Sequence, residues 1–169
     1  DEVQTRQYRC PEVIIGDPYS TAIDLWSAAC MFFELLTGEF LFDPKVGEDY
    51  PRDEDHLALI SELLGPLPDN MAMGNGKFRS KFYNSQGELR HIKQLKFWGL
   101  TSVLRDKYRF SKKKADEIAR FLLPMMALDP EERATADEML TEFDDWFEVQ
   151  EDDYAPMCYS HIRKFFGIE

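Results

Sequence analysis

The chain has 169 residues, of which 44% are hydrophobic and 14% aromatic, and its formal net charge is −12. This composition excludes a disordered chain, and the length suffices for one domain with a sizeable core. Twelve of the acidic residues lie between positions 129 and 153, where Arg133 is the only basic residue. Such acidity disfavours direct binding of nucleic acid and favours a basic partner, although many acidic surfaces only keep a protein solvated.

The three cysteines, Cys10, Cys30 and Cys158, are widely spaced, and no His/Cys cluster accompanies them. Neither a disulfide framework nor a zinc site is therefore indicated. The sequence contains no recognisable signal peptide or transmembrane segment, so we expect an intracellular location and no membrane association.

The first predicted elements are a loop and a core helix. Residues 1–19 contain Pro11, Gly16 and Pro18, which predict an extended loop that leads into a turn. The following run, Ser20–Gly38, has a capping hydroxyl at its start, a terminating glycine and apolar residues on nearly all sides. It is shorter than the ~20 residues of a membrane span and carries two carboxylates, so it is predicted to be the central helix of the core.

A second helix and an insertion follow. The helix is predicted to be capped by Asp53 and to run to about Leu64. Its acidic residues that we expect to face solvent are Glu54, Asp55 and Glu62. Residues 66–97 are rich in Pro, Gly, Asn and Lys and predict an ordered insertion loop.

The remaining predicted elements are all helical. A short helix is expected around residues 100–108, and Ser111 caps a longer helix that ends at Leu128–Pro130. Residues Thr135–Glu138 form a capping box that starts another helix. Because strand signals are nearly absent, the predicted fold class is mainly α.

Three motifs, in this order, resemble motifs of eukaryotic protein kinases. Cys10–Glu12 stands where kinases have A-P-E, and Asp24–Ser27 resembles the D-x-W-S start of their central helix. Leu128–Thr135 resembles the D-P-x-x-R-x-T segment near the end of the kinase fold. Together they resemble the C-terminal (large) lobe of the protein-kinase fold, from the late activation segment to the last helices.

The finer resemblance is to the SR-protein kinases, which phosphorylate serines in Arg/Ser-rich segments of splicing factors. It is carried by Thr5–Arg9, Thr37–Phe42, Arg52–His56 with Ala58–Leu59, Glu62–Gly65 and Leu122–Met125. The departures are Pro11, where the family often lacks proline, and Phe97, in a segment that often reads Lys-Pro-Trp. A third is the C-terminal stretch, which keeps Trp146 but has no His-Pro-Trp motif. The resemblance implies a kinase-domain fragment at residues 1–147, with its insert at about 66–97, and an acidic and aromatic extension at 148–169.

The resemblance implies supporting roles for four residues. Glu12 and Arg133 would form a buried ion pair that ties the activation segment to the last helices. Asp24 would accept hydrogen bonds from a catalytic loop that this sequence does not contain, so Asp24 and one side of the central helix would lack their partners. Thr5 would support the same absent catalytic loop.

The resemblance also implies two groups of substrate-binding residues. Tyr8 and Arg9 would line the pocket for the residue that follows the target serine, and Arg6 would brace this loop. The docking groove for arginine-rich segments would consist of Glu39, Asp55, Glu62 and Lys107. The alternative is that these carboxylates form an ordinary solvated acidic face.

The implied function is that of a Ser/Thr protein kinase that transfers the ATP γ-phosphate to serines of Arg/Ser-rich proteins in the cytoplasm and nucleus. We expect the full-length kinase to use ATP and magnesium and to be a monomer. This sequence has no H-R-D-x-x-x-x-N, no D-F-G and no Gly-rich loop, so the segment should be inactive alone and bind neither cofactor. The alternatives are a non-catalytic kinase-like lobe that binds basic peptides and a kinase of the same broad group with another substrate preference.

Overall fold

The computed structural model describes residues 3–143, so the predicted extension at 148–169 lies outside the described part of the chain. A 3-10 helix at Arg6–Tyr8 precedes eight α-helices in this part. Their bounds are α1 (Pro11–Ile15), α2 (Ala22–Thr37), α3 (Arg52–Leu64), α4 (Asp69–Ala72), α5 (Arg79–Phe82), α6 (Leu100–Asp106), α7 (Lys112–Met125) and α8 (Ala136–Glu142). Residues 3–143 contain no β-strand, so the predicted mainly α fold is confirmed.

Helix α2 lies at the centre of the core, as predicted. Its side chains Trp26, Cys30, Phe33 and Leu36 are buried, and the helix packs against α7 and the 3-10 helix. Gly38 ends it with a left-handed φ of 78°, a conformation that costs glycine little because it has no Cβ. No helix among residues 3–143 has the length and apolar character needed to cross a membrane.

One side of α2 is left uncovered within residues 3–143. Asp24 and Met31 are exposed, and Ala28 and Leu35, which lie on the same stripe, are only partly buried. None of the described hydrogen bonds reaches the Asp24 carboxylate, which is solvated instead of buried. This stripe is the side that the kinase resemblance predicts to lack its cover in this sequence.

The prediction of an extended loop over residues 1–19 is wrong for Arg6–Tyr8 and for α1. Pro11 is the first residue of α1, a position where proline is favoured because the helix needs no N–H group there. Gly16 closes α1 with a left-handed φ of 77°. The prolines and glycines therefore mark the ends of these short helices and do not exclude them.

Helix α3 begins one residue before its predicted cap, and Asp53 makes no capping hydrogen bond. The expectation that Glu54 faces solvent is also wrong, because its side chain is completely buried. Its carboxylate accepts hydrogen bonds from His91 N at 2.6 Å and Ile92 N at 3.1 Å, and lies 2.6 Å from His91 Nδ1. These donors allow the carboxylate to be buried without an unsatisfied charge.

Helices α7 and α8 begin directly after the capping residues predicted for them. Ser111 Oγ accepts a hydrogen bond from Lys114 N, and Thr135 and Glu138 form the reciprocal bonds of a capping box. Helix α7 ends at Met125, earlier than predicted. The predicted insertion at 66–97 contains α4 and α5 and is therefore more regular than the predicted loop.

Candidate functional site

A buried ion pair joins the beginning and the end of the described chain. Arg133 Nη1 lies 2.7 Å from Glu12 Oε1, and Nη2 lies 3.1 Å from Oε2. The guanidinium also donates to the carbonyl oxygens of Ala22 and Ala127, each at 3.0 Å, and lies over the Trp26 ring. The ion pair that the resemblance implies is therefore present, with all its polar atoms oriented by partners.

The 3-10 helix is held by two polar contacts. Arg6 forms an ion pair with Asp53 of α3. The Tyr8 hydroxyl donates to Glu34 Oε2 of α2 at 2.5 Å, and this hydrogen bond together with burial raises the pKa of Tyr8 to about 12. The Tyr8 ring packs edge-on against Phe40, with the ring centroids 6.2 Å apart. Neither Asp53 nor Glu34 was predicted as a partner, because nothing local in the sequence links them to this loop.

The remaining predicted loop residues differ in exposure. Arg9 is buried and its Nη2 donates to the Gln4 carbonyl at 3.1 Å. The Gln4 amide in turn donates to Ile23 O at 2.9 Å and Ser27 Oγ at 2.8 Å, which ties the loop to α2. Thr5 is exposed, and none of the described hydrogen bonds uses its hydroxyl.

His56 of α3 lies beneath this loop and was not singled out from the sequence. Its side chain is completely buried beside the Phe42 ring, and neither ring nitrogen has a hydrogen-bond partner among residues 3–143. Burial, with smaller contributions from the charges of Arg6 and Arg9, lowers the pKa of His56 to about 3. The imidazole is therefore neutral in the folded protein. The sequence feature that could have identified His56 as buried is its position directly before the core residues Leu57 and Ala58.

We predict that His56 makes the protein less stable as the pH falls below the histidine's unfolded pKa of 6.5. Below that value His56 is protonated in the unfolded state but stays neutral in the folded state. The free energy of unfolding therefore decreases until the pH reaches the folded pKa. Between pH 7 and pH 5, wild type should lose about 2 kcal/mol more of its unfolding free energy than a His56→Leu or His56→Gln variant. Urea unfolding at both pH values measures this difference, and equal losses in wild type and both variants contradict the prediction.

Two of the four predicted docking residues form a surface pair. Lys107 Nζ lies 2.6 Å from Glu39 Oε2, which also accepts a hydrogen bond from the Tyr108 hydroxyl at 3.0 Å. The hydrogen bond from Lys107, followed by that from Tyr108, lowers the pKa of Glu39. The pKa of Lys107 is raised by its hydrogen bond to Glu39, followed by its hydrogen bond with Tyr108. The pair connects the segment after α2 to the end of α6.

The other two predicted docking residues share one face of α3. Asp55 and Glu62 are seven positions apart, which places them two turns apart on the same side of the helix. Asp55 Oδ2 accepts a hydrogen bond from Lys45 N at 2.8 Å, and Glu62 Oε1 accepts one from Lys96 N at 2.7 Å. None of the described hydrogen bonds occupies the second oxygen of either carboxylate. No hydrogen bond or ion pair is described between these two carboxylates and the pair of Glu39 and Lys107.

Residues 91–98, which we call the strap, run along α3 and are held at both ends by its carboxylates. Glu54 binds the beginning of the strap, and Glu62 binds its end through Lys96 N. The Glu62 carbonyl also accepts a hydrogen bond from Trp98 N at 2.8 Å. The role of Glu54 was missed, although three consecutive acidic residues span more than half a helical turn and cannot all share one solvated face.

No group of three metal-ligating side chains is present within residues 3–143.

Comparisons with known proteins identify related sequences. A protein-family model described as "Protein kinase domain" matches residues 1–147. The chain is 53% identical over 141 residues to the serine/threonine-protein kinase SRPK of Physarum polycephalum, covering 83% of this chain and 33% of that protein. It is 53% identical over 136 residues to the serine/threonine-protein kinase SKY1 of Saccharomyces cerevisiae, covering 80% and 18% respectively. It is 52% identical over 140 residues to human SRSF protein kinase 3, covering 83% and 24%. The chain thus spans a third or less of the length of these relatives.

Proposed function

The chain belongs to the protein kinase family as a segment of an SR-protein-type Ser/Thr kinase domain, and we propose that the full-length protein phosphorylates serines in Arg/Ser-rich proteins. The observation that carries this proposal is the face of α3, where Asp55 and Glu62 each keep one carboxylate oxygen without a described donor. A guanidinium group offers paired N–H donors that suit such oxygens. The name of the human relative, an SRSF protein kinase, agrees with a substrate of this class.

We propose that this segment supplies two parts of substrate recognition. The docking groove of Glu39, Asp55, Glu62 and Lys107 holds an arginine-rich part of the substrate. The loop with Arg6, Tyr8 and Arg9 receives the peptide near the target serine, and its contacts to α2 and α3 keep it in place before substrate binds. Thr5 and Asp24, both exposed, support the catalytic loop of the full-length kinase.

The chemistry itself requires groups that this sequence does not contain. ATP and magnesium are bound by the Gly-rich loop, the lysine and the D-F-G aspartate of a kinase, and none of these motifs is present here. We therefore propose that this segment is inactive alone. The full-length kinase is proposed to be a monomer of the cytoplasm and nucleus.

The test measures phosphate transfer by the full-length kinase that carries this segment. It is incubated with ATP, magnesium and one of three peptides of equal length: an Arg/Ser peptide, a Lys/Ser peptide of the same charge, and a Ser-Pro peptide. We expect transfer to serine in the Arg/Ser peptide and at least about ten-fold less in the Lys/Ser peptide, because lysine lacks the paired donors.

The other outcomes identify the alternatives. Binding of the Arg/Ser peptide without phosphate transfer supports a non-catalytic lobe that docks basic peptides. Preferential transfer to the Ser-Pro peptide supports a kinase with another substrate preference. Either result contradicts the proposed function.

A further inference from the structure

Phe97 is the most exposed aromatic residue of the strap and has no role in the contacts described so far. Its side chain is 64% exposed, and the neighbouring Trp98 is 43% exposed. Phe97 does not belong to the described side chains that pack against the core, and no ring or cation contact is given for it within residues 3–143. Two consecutive large aromatic residues thus present apolar surface to solvent in a segment without helix or strand.

The strap holds the backbone of Phe97 next to Glu62. Lys96 N donates to Glu62 Oε1 at 2.7 Å, and Trp98 N donates to Glu62 O at 2.8 Å. Phe97 lies between these two donors, so its backbone cannot move far from Glu62 without breaking one of them. The anchor at the buried Glu54 fixes the other end of the strap, which limits its freedom further.

We propose that Phe97 is a specificity-determining residue that stacks on the guanidinium of an arginine bound by Glu62. This inference rests on the proposed function, because it assumes that an arginine-rich segment occupies the α3 face. The occupant is an extended, arginine-rich peptide, whose charge complements the open oxygens of Asp55 and Glu62.

The planar shape of the guanidinium supports this choice of ligand over lysine. An arginine can direct the edge of its fork at a carboxylate while its flat face lies on an aromatic ring. The ammonium of lysine is a compact, strongly hydrated charge and cannot make both contacts in the same way. A ring beside a carboxylate therefore selects arginine where the carboxylate alone would select only positive charge.

The test measures peptide binding to the full-length kinase by fluorescence anisotropy at low salt. The probes are an arginine-rich peptide without serine and a lysine-rich peptide of equal length and charge. We expect Phe97→Leu to weaken binding of the arginine peptide about two- to five-fold, and to reduce the preference for arginine over lysine. Phe97→Tyr, which keeps the ring, should bind like wild type.

A matched control is Leu140→Ala, which removes a similarly exposed apolar side chain on α8 and should leave both affinities unchanged. Unchanged binding by Phe97→Leu, or equal losses in Phe97→Leu and Phe97→Tyr, overturns the stacking role. If Glu62→Lys abolishes binding while Phe97→Leu does not change it, docking at α3 stands and only this inference fails. If the wild-type kinase does not bind the arginine peptide, the proposed function fails as well.

Discussion

Replacing Arg133 with alanine is expected to lower the free energy of unfolding by about 3–5 kcal/mol, because it leaves the Glu12 carboxylate buried without its partner. The side chains of both residues are almost completely inaccessible to solvent. The variant also removes the donors to Ala22 O and Ala127 O and the cation that lies over Trp26. Thermal and urea unfolding of wild type and variant measure the loss.

Further variants separate the buried pair from ordinary surface charge. Glu12→Gln should also lower stability sharply, and combining it with Arg133→Met should cost less than the sum of the two single changes, because no isolated charge remains. Lys112→Ala, which breaks an exposed pair with Asp116 on α7, should change stability by only about 0.5 kcal/mol. A melting temperature unchanged by Arg133→Ala or by Glu12→Gln contradicts the importance of the pair.

Reversing the charges of Asp55 and Glu62 together is expected to weaken binding of an arginine-rich peptide by about a hundred-fold or more at low salt. A charge-assisted hydrogen bond contributes roughly 1.5–3 kcal/mol, which corresponds to about ten-fold or more for each carboxylate. The Asp55→Lys, Glu62→Lys variant loses both bonds and adds repulsion. The difference from wild type should shrink as salt rises, because the Debye length falls from about 30 Å at 0.01 M to about 3 Å at 1 M.

Two controls are needed because these carboxylates also bind the backbone of Lys45 and Lys96. Asp55→Asn with Glu62→Gln keeps an acceptor oxygen at each position and removes only the charge, so it should still weaken binding. Asp116→Lys with Glu117→Lys changes the net charge of α7 by the same amount as the α3 reversal and should bind nearly like wild type. Equal affinity of wild type and the Asp55→Lys, Glu62→Lys variant at low salt rejects the docking groove.

Local signals in the sequence predicted the long helices well. The apolar run of α2 with its terminal glycine, the Ser111 cap and the capping box at Thr135 depend on residues a few positions apart. The short helix α1 was missed because Pro11 was interpreted as a breaker, although proline at the first helical position is compatible with a helix. Local chemistry therefore predicts that a long helix forms more reliably than it predicts whether a short one forms.

Contacts between distant segments could not be predicted from local pattern. Glu54 is 37 and 38 residues from its donors, which lie in a segment without a periodic pattern. The ion pair between Arg6 and Asp53 likewise joins residues that are 47 positions apart. The Glu12–Arg133 pair was named only because motifs of a known family contain both residues. The resemblance thus supplied long-range information that composition and periodicity do not contain.

The hydrogen bonds that hold the strap do not involve the backbone N–H group of Phe97. Glu62 takes the N–H groups of Lys96 and Trp98, and none of the described hydrogen bonds uses the N–H group of Phe97. A residue that lacks this group, such as proline, would break none of these bonds. The side chain at position 97 can therefore be exchanged without breaking the hydrogen bonds that hold the strap on α3.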